Sequence, residues 1–360
     1  MYNREELIAL IERLSLAFGP TGCEGEVASL LREALQNSGA TLTTDAMGNL
    51  TARVGKAEGP RVMLAAHMDE VGFMITDIDD NGFLHFANLG GIDPRVMVGR
   101  PVTVGDEDCR VAGVLVAKGI HFQSAEERKK LPDVKEMYID IGTASREESE
   151  ALVRLGDFGT FDTSFLRFGK AGAYLSGKAL DDRVGCAVLV AVLQAVAGKQ
   201  LPLDLHFAFT VREEIGISGA TVTANRIAPD IGIVIETTAI ADLPDVAPSR
   251  RVAEVGKGGV LSLLDRATIY DRDLVDTALR VGREREIPVQ VKRFVSGGND
   301  ADDIQRSGVG VRCLALSAPT RYLHAPVSVA AISDIEAMVA LITALLEEFA
   351  KEGTRLCTKH

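Results

Sequence analysis

Five side chains, His67, Asp181, Glu214, Glu236 and His324, are of the types that bind divalent metal ions, and Glu213 stands beside one of them as a further acid. In His67-Met68-Asp69 the polar residues are two apart, so in extended chain they project to the same side and Asp69 can accept the second ring N–H of the imidazole. Such a partner fixes the tautomer and makes the other nitrogen a better ligand. Alone, the pair reads more readily as a satisfied histidine at a strand end. Asp181 and Asp182 precede an apolar helical stretch, where aspartate commonly caps orphan amides. The two oxygens of one aspartate can also bridge two cations about 3.5–4 Å apart. Glu213 and Glu214 follow the apolar run 205–210, so one can ligate while its neighbour takes a proton from water. Glu236 ends another apolar run, and His324 lies in the loop Tyr322-Leu323-His324-Ala325-Pro326.

Each of these features is ordinary. Their joint placement is not, because all fall at the ends of apolar strands or at a helix entrance, and ligands of open α/β sheets gather at the carboxyl ends of the strands. The set offers each of two metals one imidazole, one terminal carboxylate and a share of Asp181. That mixed nitrogen and oxygen sphere suits two divalent ions, zinc or cobalt foremost and manganese after them. Three carboxylates against two dications leave net positive charge, which polarises a carbonyl and acidifies a bridging water.

The elements that must position these residues follow from periodicity. Amphipathic helices are predicted over residues 5–18 and 25–37, the second closed by Ser38-Gly39. Residues 61–66 are a short apolar strand that stops at His67 and reads as buried on both faces. From Val71 to Phe165 the pattern changes to short β runs broken by Asp80-Asn81-Gly82, Gly90-Gly91, Gly105-Asp106 and Gly113, the texture of a small barrel or sandwich. One helix interrupts it, opened by Ser145 and Glu148 as a capping box. Beyond Gly177, helices near 183–197, 271–286, 301–307 and 333–352 alternate with strands at 205–211, 231–235, 289–295 and 311–317. The expected class is α/β: a mostly parallel mixed sheet sandwiched by helices, formed by residues 1–70 plus 166–360, with a small β-barrel-like domain inserted at 71–165.

The sequence also resembles the M42 family of metallo-aminopeptidases, over nearly its whole length. The likeness is carried by Ala66-His67-Met68-Asp69-Glu70-Val71-Gly72-Phe73, Gly90-Gly91-Ile92-Asp93-Pro94-Arg95-Val96, Gly177-Lys178-Ala179-Leu180-Asp181-Asp182-Arg183, Glu213-Glu214-Ile215-Gly216, Gly297-Gly298 with Asp300-Ala301, and Arg321-Tyr322 with His324 and Pro326. The resemblance implies removal of N-terminal residues from short peptides. It implies that His67, Asp181 and Glu236 hold one metal and Asp181, Glu214 and His324 the other, with a cis Asp181-Asp182 bond. It further implies that Glu213 is the general base and acid, that Asp69 orients His67, and that the inserted domain joins dimers which assemble into a hollow tetrahedral dodecamer. Glu236 stands where the family more often has Asp, Asn299 where Thr is commoner, Asp302-Asp303 where small residues are expected, and Ala325 where Ser is frequent. These departures lie near the family's substrate site and bear on specificity.

Composition sets the bounds. At 360 residues and 46% hydrophobic content the chain supports a full core and more than one compact unit. A net charge of -12, with acids scattered along the chain, argues against nucleic acid as a partner. Cys23, Cys109, Cys186, Cys313 and Cys357 lie far apart with no CxxC, and Glu5, Glu6 and Glu12 interrupt the opening apolar period. Both point to the cytoplasm rather than to secretion, and the most apolar stretch, 184–198, is too short to span a bilayer. His85, His121, His206 and His360 read as structural or terminal, Gly256-Lys257-Gly258-Gly259 as a turn without the residues of a phosphate loop, and Ser218-Gly219 as a helix start. Two rivals remain: a metal-independent glycosidase, which needs two carboxylates astride a sugar, and a noncatalytic assembly protein of the same fold.

Overall fold

The computed structural model describes residues 3–353; Cys357 and His360 lie outside them. The chain opens with α1 (Arg4–Leu16) and α2 (Gly25–Leu35), then β1 (Thr41–Thr44), β2 (Leu50–Gly55) and β3 (Arg61–His67). Asn3 caps α1 by accepting the Glu5 amide at 3.0 Å.

A closed antiparallel barrel follows, built from β4 (Gly72–Ile78), β5 (Leu84–Leu89), β6 (Arg100–Gly105), β7 (Arg110–Val116), β8 (Tyr138–Asp140) and β9 (Phe158–Phe161) in the order β4-β5-β8-β7-β6-β9. Alternate residues fill it: Phe73 meets Phe86 and Phe161 edge-on at 5.0 and 5.1 Å, and Val102, Val104, Leu115 and Ile139 are fully buried beside them. The helix in this segment, α3 (Arg146–Glu150), is a single short turn. Ser145 Oγ accepts the Glu148 amide at 3.3 Å, but the Glu148 carboxylate reaches back to the Ala144 amide at 2.8 Å, one residue beyond the Ser145 amide that a full capping box would engage.

The remaining elements are β10 (Leu166–Phe168), β11 (Tyr174–Gly177), α4 (Leu180–Val196), β12 (Asp204–Thr210), α5 (Ser218–Ile227), β13 (Ile231–Ala239), β14 (Gly259–Leu261), α6 (Arg272–Glu284), β15 (Val289–Val291), α7 (Ala301–Gln305), β16 (Arg312–Arg321), β17 (Ser328–Ala331) and α8 (Ile332–Glu352). The sheet runs β1-β2-β12-β3-β13-β16-β17-β11-β10, with β14 and β15 attached to β16. The central four strands are parallel, and antiparallel strands extend both flanks. Helices α4, α8, α1 and α6 cover one face, while α5 and α7 cover the other. This is the expected mixed α/β sheet between helices, accompanied by a barrel. α4 is apolar all round and is buried along nearly its whole length, because it lies under both the sheet and the outer helices. Among the described residues no helix is long and apolar enough to cross a membrane, and Cys23, Cys109, Cys186 and Cys313 are free thiols.

Candidate active site

The parallel centre of the sheet delivers the first two side chains. His67 is the last residue of β3, and the register of β13 against β3, ending at Val234 opposite Ala65, brings Glu236 level with it two residues on. Both are buried. Glu213 and Glu214 sit just past β12 in a turn that Arg212 enters at φ 58°, and His324 lies at φ 54° between β16 and β17. Asp181 stands in the first turn of α4, where it and Asp182 depart from helical geometry and share a cis peptide bond. Positive φ at non-glycine residues is costly and is kept where the surroundings impose it.

All five expected ligands converge. His67 Nε2 lies 3.3 Å from Asp181 Oδ1 and 3.5 Å from Glu236 Oε1. His324 Nε2 lies 3.2 Å from Asp181 Oδ2 and 3.3 Å from Glu214 Oε1. Each oxygen of Asp181 thus faces a different imidazole. Donor atoms around a tetrahedral ion with ~2.0–2.1 Å bonds are roughly 3.3–3.4 Å apart, the spacing found here, so the donor set fits two divalent ions in both chemistry and scale. His324 Nδ1 lies 2.9 Å from the Gly91 carbonyl, which turns Nε2 toward the acids.

Asp69 does more than its spacing implied. His67 Nδ1 lies 3.1 Å from the Asp69 carbonyl and 3.4 Å from Asp69 Oδ1. The same carboxylate accepts the amides of Glu213 at 3.0 Å and Glu214 at 3.1 Å, and the Thr21 hydroxyl at 2.8 Å. One buried side chain therefore sets both the imidazole and the acidic turn. Glu24 continues this by accepting the Arg212 amide at 3.2 Å, a role nothing in the linear pattern signalled.

Ligand atoms of Asp181, Glu214 and His324 lie within 4.8 Å of one another, and so do those of His67, Asp182 and Glu236, and of His67, Glu213 and Glu214. Asp182 is the member not assigned from sequence. It is fully buried, accepts the Gly185 amide at 3.0 Å through Oδ1 and has no hydrogen-bond partner for Oδ2 among the described residues. The doubled acid at 181–182 was the signal.

Crowding governs the electrostatics. Burial pushes Glu213 and Glu236 well above the usual carboxylate range, with neighbouring acids adding to it, and takes Glu214 to about 7. Burial alone would strip the proton from His67, but the charge of Glu236 and hydrogen bonds to Asp181 and Asp69 hold the imidazole well above its ordinary value. His324 reaches about 9 in the same way, against burial, through Asp181 and Glu214. Burial opposes ionisation of Asp181 as well, yet hydrogen bonds to His324 and His67 hold its carboxyl below the usual range.

A cavity of about 590 Å³ opens over these residues, and Arg266, Lys292, Asn299 and Asp302 also line it. His85, His121 and His206 do not reach it; His206 Nε2 lies instead 3.2 Å from Asp204 Oδ2.

Known proteins resemble this chain over most of its length. The family model described as M42 glutamyl aminopeptidase matches residues 48–341. A lysyl aminopeptidase of Pyrococcus furiosus is 30% identical over 328 residues, 89% of this chain and 91% of that one. Among solved structures, a TET aminopeptidase from the marine sediment archaeon Thaumarchaeota archaeon SCGC AB-539-E09 superposes with TM-score 0.93 at 31% identity, covering 97% of this chain and 99% of that one. The Pyrococcus horikoshii TET1 peptidase, described as able to assemble into a tetrahedron or a large octahedral shell, superposes with TM-score 0.85 at 34% identity, covering 94% and 99%.

Proposed function

The chain belongs to the M42 family of aminopeptidases, and from that premise we propose that it is a dinuclear metal-dependent enzyme that removes N-terminal residues from short peptides. The observation that carries this reading is Asp181, whose two oxygens each face a different imidazole at 3.3 and 3.2 Å. His67, Asp181 and Glu236 would hold one ion, and Asp181, Glu214 and His324 the other. When bound, two zinc or cobalt ions, with manganese as a further option, supply the Lewis acidity that polarises the scissile carbonyl and acidifies water.

The chain's own groups do the rest. Glu213, next in sequence to a ligand and lining the cavity, takes the proton from the attacking water and returns it to the departing amine. Asp69 keeps that carboxylate in place by holding the two amides of its turn. We divide the chain into a catalytic unit, residues 1–70 plus 166–360, and an inserted unit, 71–165. The inserted unit pairs two copies, and the pairs close into a tetrahedral dodecamer. Support comes from the shells described for the Pyrococcus horikoshii relative and from exposed apolar side chains on the barrel segment, among them Ile120, Phe122, Leu131 and Leu155.

Exhaustive chelation should abolish hydrolysis of aminoacyl anilides, and zinc or cobalt should restore it; activity that survives chelation sinks the metal assignment. Glu213→Gln should keep its metal content, measured by elemental analysis, and lose about 10²–10⁴-fold in turnover. Wild-type turnover in that variant removes Glu213 from the base role.

A further inference from the structure

Residues directly opposite one another in a sheet share a face, as do residues two apart along a strand. The pairing of β1, β2, β12 and β3 therefore brings Thr43, Thr51, Arg53, His206 and Arg61 onto one side of the sheet. This is the side that α5 covers, and Arg226 in the last turn of α5 closes over it. Together these residues line a second cavity, of about 410 Å³. It lies at the other end of the strands from the candidate metal ligands. Arg61 opens β3, which ends in His67, and Asp204 opens β12, which leads to Glu213 and Glu214. At about 3.3 Å per residue the two ends of β3 are roughly 20 Å apart.

Each of the three arginines is held by a different anchor. Arg53 donates from Nε and Nη2 to the two oxygens of Asp204 at 2.7 and 2.9 Å. Arg61 donates from Nη1 to the Ile227 carbonyl at 2.9 Å, at the carboxyl end of α5, while its amide donates to Asp230 Oδ2 at 2.8 Å. Arg226 donates from Nη2 to the Thr51 hydroxyl at 2.7 Å. Among the described residues neither Arg61 nor Arg226 forms an ion pair, and each makes its one side-chain bond to a neutral oxygen. The end of a helix accounts for one cation there, not for two more beside it. His206, opposite Arg53 in the pairing, is buried between them. Its Nε2 lies 3.2 Å from Asp204 Oδ2 without the alignment of a hydrogen bond, and so has no partner among the described residues. Burial holds this imidazole below its ordinary value, against the pull of Asp204, so it adds no charge at neutral pH. Three guanidinium groups against the single carboxylate of Asp204 leave two positive charges in the lining, in a chain whose net charge is -12.

We propose that this cavity is a binding site for a phosphoryl group, carried by a small metabolite or free as inorganic phosphate. Guanidinium groups suit phosphate oxygens in geometry, and a concave cationic lining concentrates anions. A phosphate monoester carries a charge of about −1.5 to −2 at neutral pH, which matches the two unbalanced cations, whereas a carboxylate offsets only one. The Thr51 hydroxyl, which already accepts from Arg226, keeps its own proton to donate, and the volume is that of a small-molecule site. The site is separate from the metal centre and stands whether or not the aminopeptidase reading does.

The test is calorimetric titration of the full-length, metal-loaded protein with inorganic phosphate, ribose 5-phosphate and ribose, at physiological ionic strength. Both phosphoryl probes should bind and ribose should not. Arg61→Gln and Arg226→Gln should each weaken binding about tenfold to a hundredfold, the span of a charge-assisted hydrogen bond. Thr43→Glu, which sets a carboxylate at an exposed position of the lining, should abolish it. Ribose 5-phosphate bound more tightly than phosphate assigns the site to an esterified ligand, and equal binding assigns it to the free anion; either result supports the site. Absence of binding to the wild type overturns the inference. So does binding that persists unchanged in Arg226→Gln and Thr43→Glu, as it would for phosphate resting on the metal ions. Both of those positions are exposed, so they decide the matter even if Arg61→Gln, which removes a contact to α5, fails to fold.

Discussion

Replacing Asp69 by Asn keeps the shape of the side chain and turns one of its acceptors into a donor. Because that carboxylate receives the amides of both Glu213 and Glu214, the variant must set a donor against a donor on one side of the acidic turn. We expect metal affinity to fall about 10–100-fold and stability to fall by about 1–3 kcal/mol. Metal titration and thermal denaturation check this, and an unaltered affinity would reduce Asp69 to a partner of His67 alone. Residue types carried much of the site at this scale. Acids and histidines at the ends of apolar runs were legible because depth excuses no unpaired acid. Asp182 was signalled only by the doubled acid, since its burial follows from a non-helical path at the start of α4. Glu24 was not legible, because it meets Arg212 only after distant segments have come together.

At the level of elements, the turn at residues 256–258 was read from sequence only as a turn, and its structural anchor is the first turn of α8. The Asp334 carboxylate accepts the amides of Gly256 at 2.6 Å and Gly258 at 2.7 Å. Gly258 has φ +94°, and a Cβ there would sit 2.0 Å from the Pro288 carbonyl oxygen, so no other residue fits. Burial raises the Asp334 carboxyl to about 6 despite those two amides. The unfolded chain therefore ionises first as pH rises. Stability from this group is full below about 4, is lost between about 4 and 6, and stays flat above. Asp334→Asn should show a shallower loss of the urea midpoint between pH 4 and 6.5, and an identical slope in both proteins would refute the assignment. The apolar strands and amphipathic helices were visible in the sequence because two buried faces leave a continuous apolar run. Flanking strands such as β1, with residues Thr41–Thr44, and β10, with Leu166–Phe168, were not. They lie at the sheet's edges with mostly exposed side chains, so burial writes no period into them. The segment expected to be a strand to residue 295 is a strand only over Val289–Val291, with one further bond from the Lys292 amide to the Leu261 carbonyl at 2.8 Å.

On the scale of the whole molecule, barrel and sheet meet through a buried charge cluster. Glu70 accepts from Thr160 of β9 at 2.8 Å and from Lys178 at 2.6 Å, with Arg183 at 3.3 Å. Arg183 is fully buried and also donates to the carbonyls of Leu14 and Gly19. The barrel is thus keyed to the layer that carries the candidate metal ligands, and its outward apolar side chains form the surface proposed to meet another copy. Light scattering at working concentration should report a species many times the 38.4 kDa chain. Phe122→Glu, at a side chain 79% exposed, should shift it toward smaller forms while leaving the far-UV spectrum unchanged. A wild-type monomer would refute self-association.

The place of the barrel in the chain also fixes an order of events on the ribosome. β3, which ends in His67, has β12 and β13 as its neighbours, and both are made only after the barrel is complete. The barrel's six strands pair among themselves as they emerge, while β3 waits as an apolar strand with both edges open until Thr210 has been added and one edge open until Ala239. A nascent chain stalled in that interval carries a finished barrel tethered to an unpaired strand, the form of this protein most in need of a chaperone.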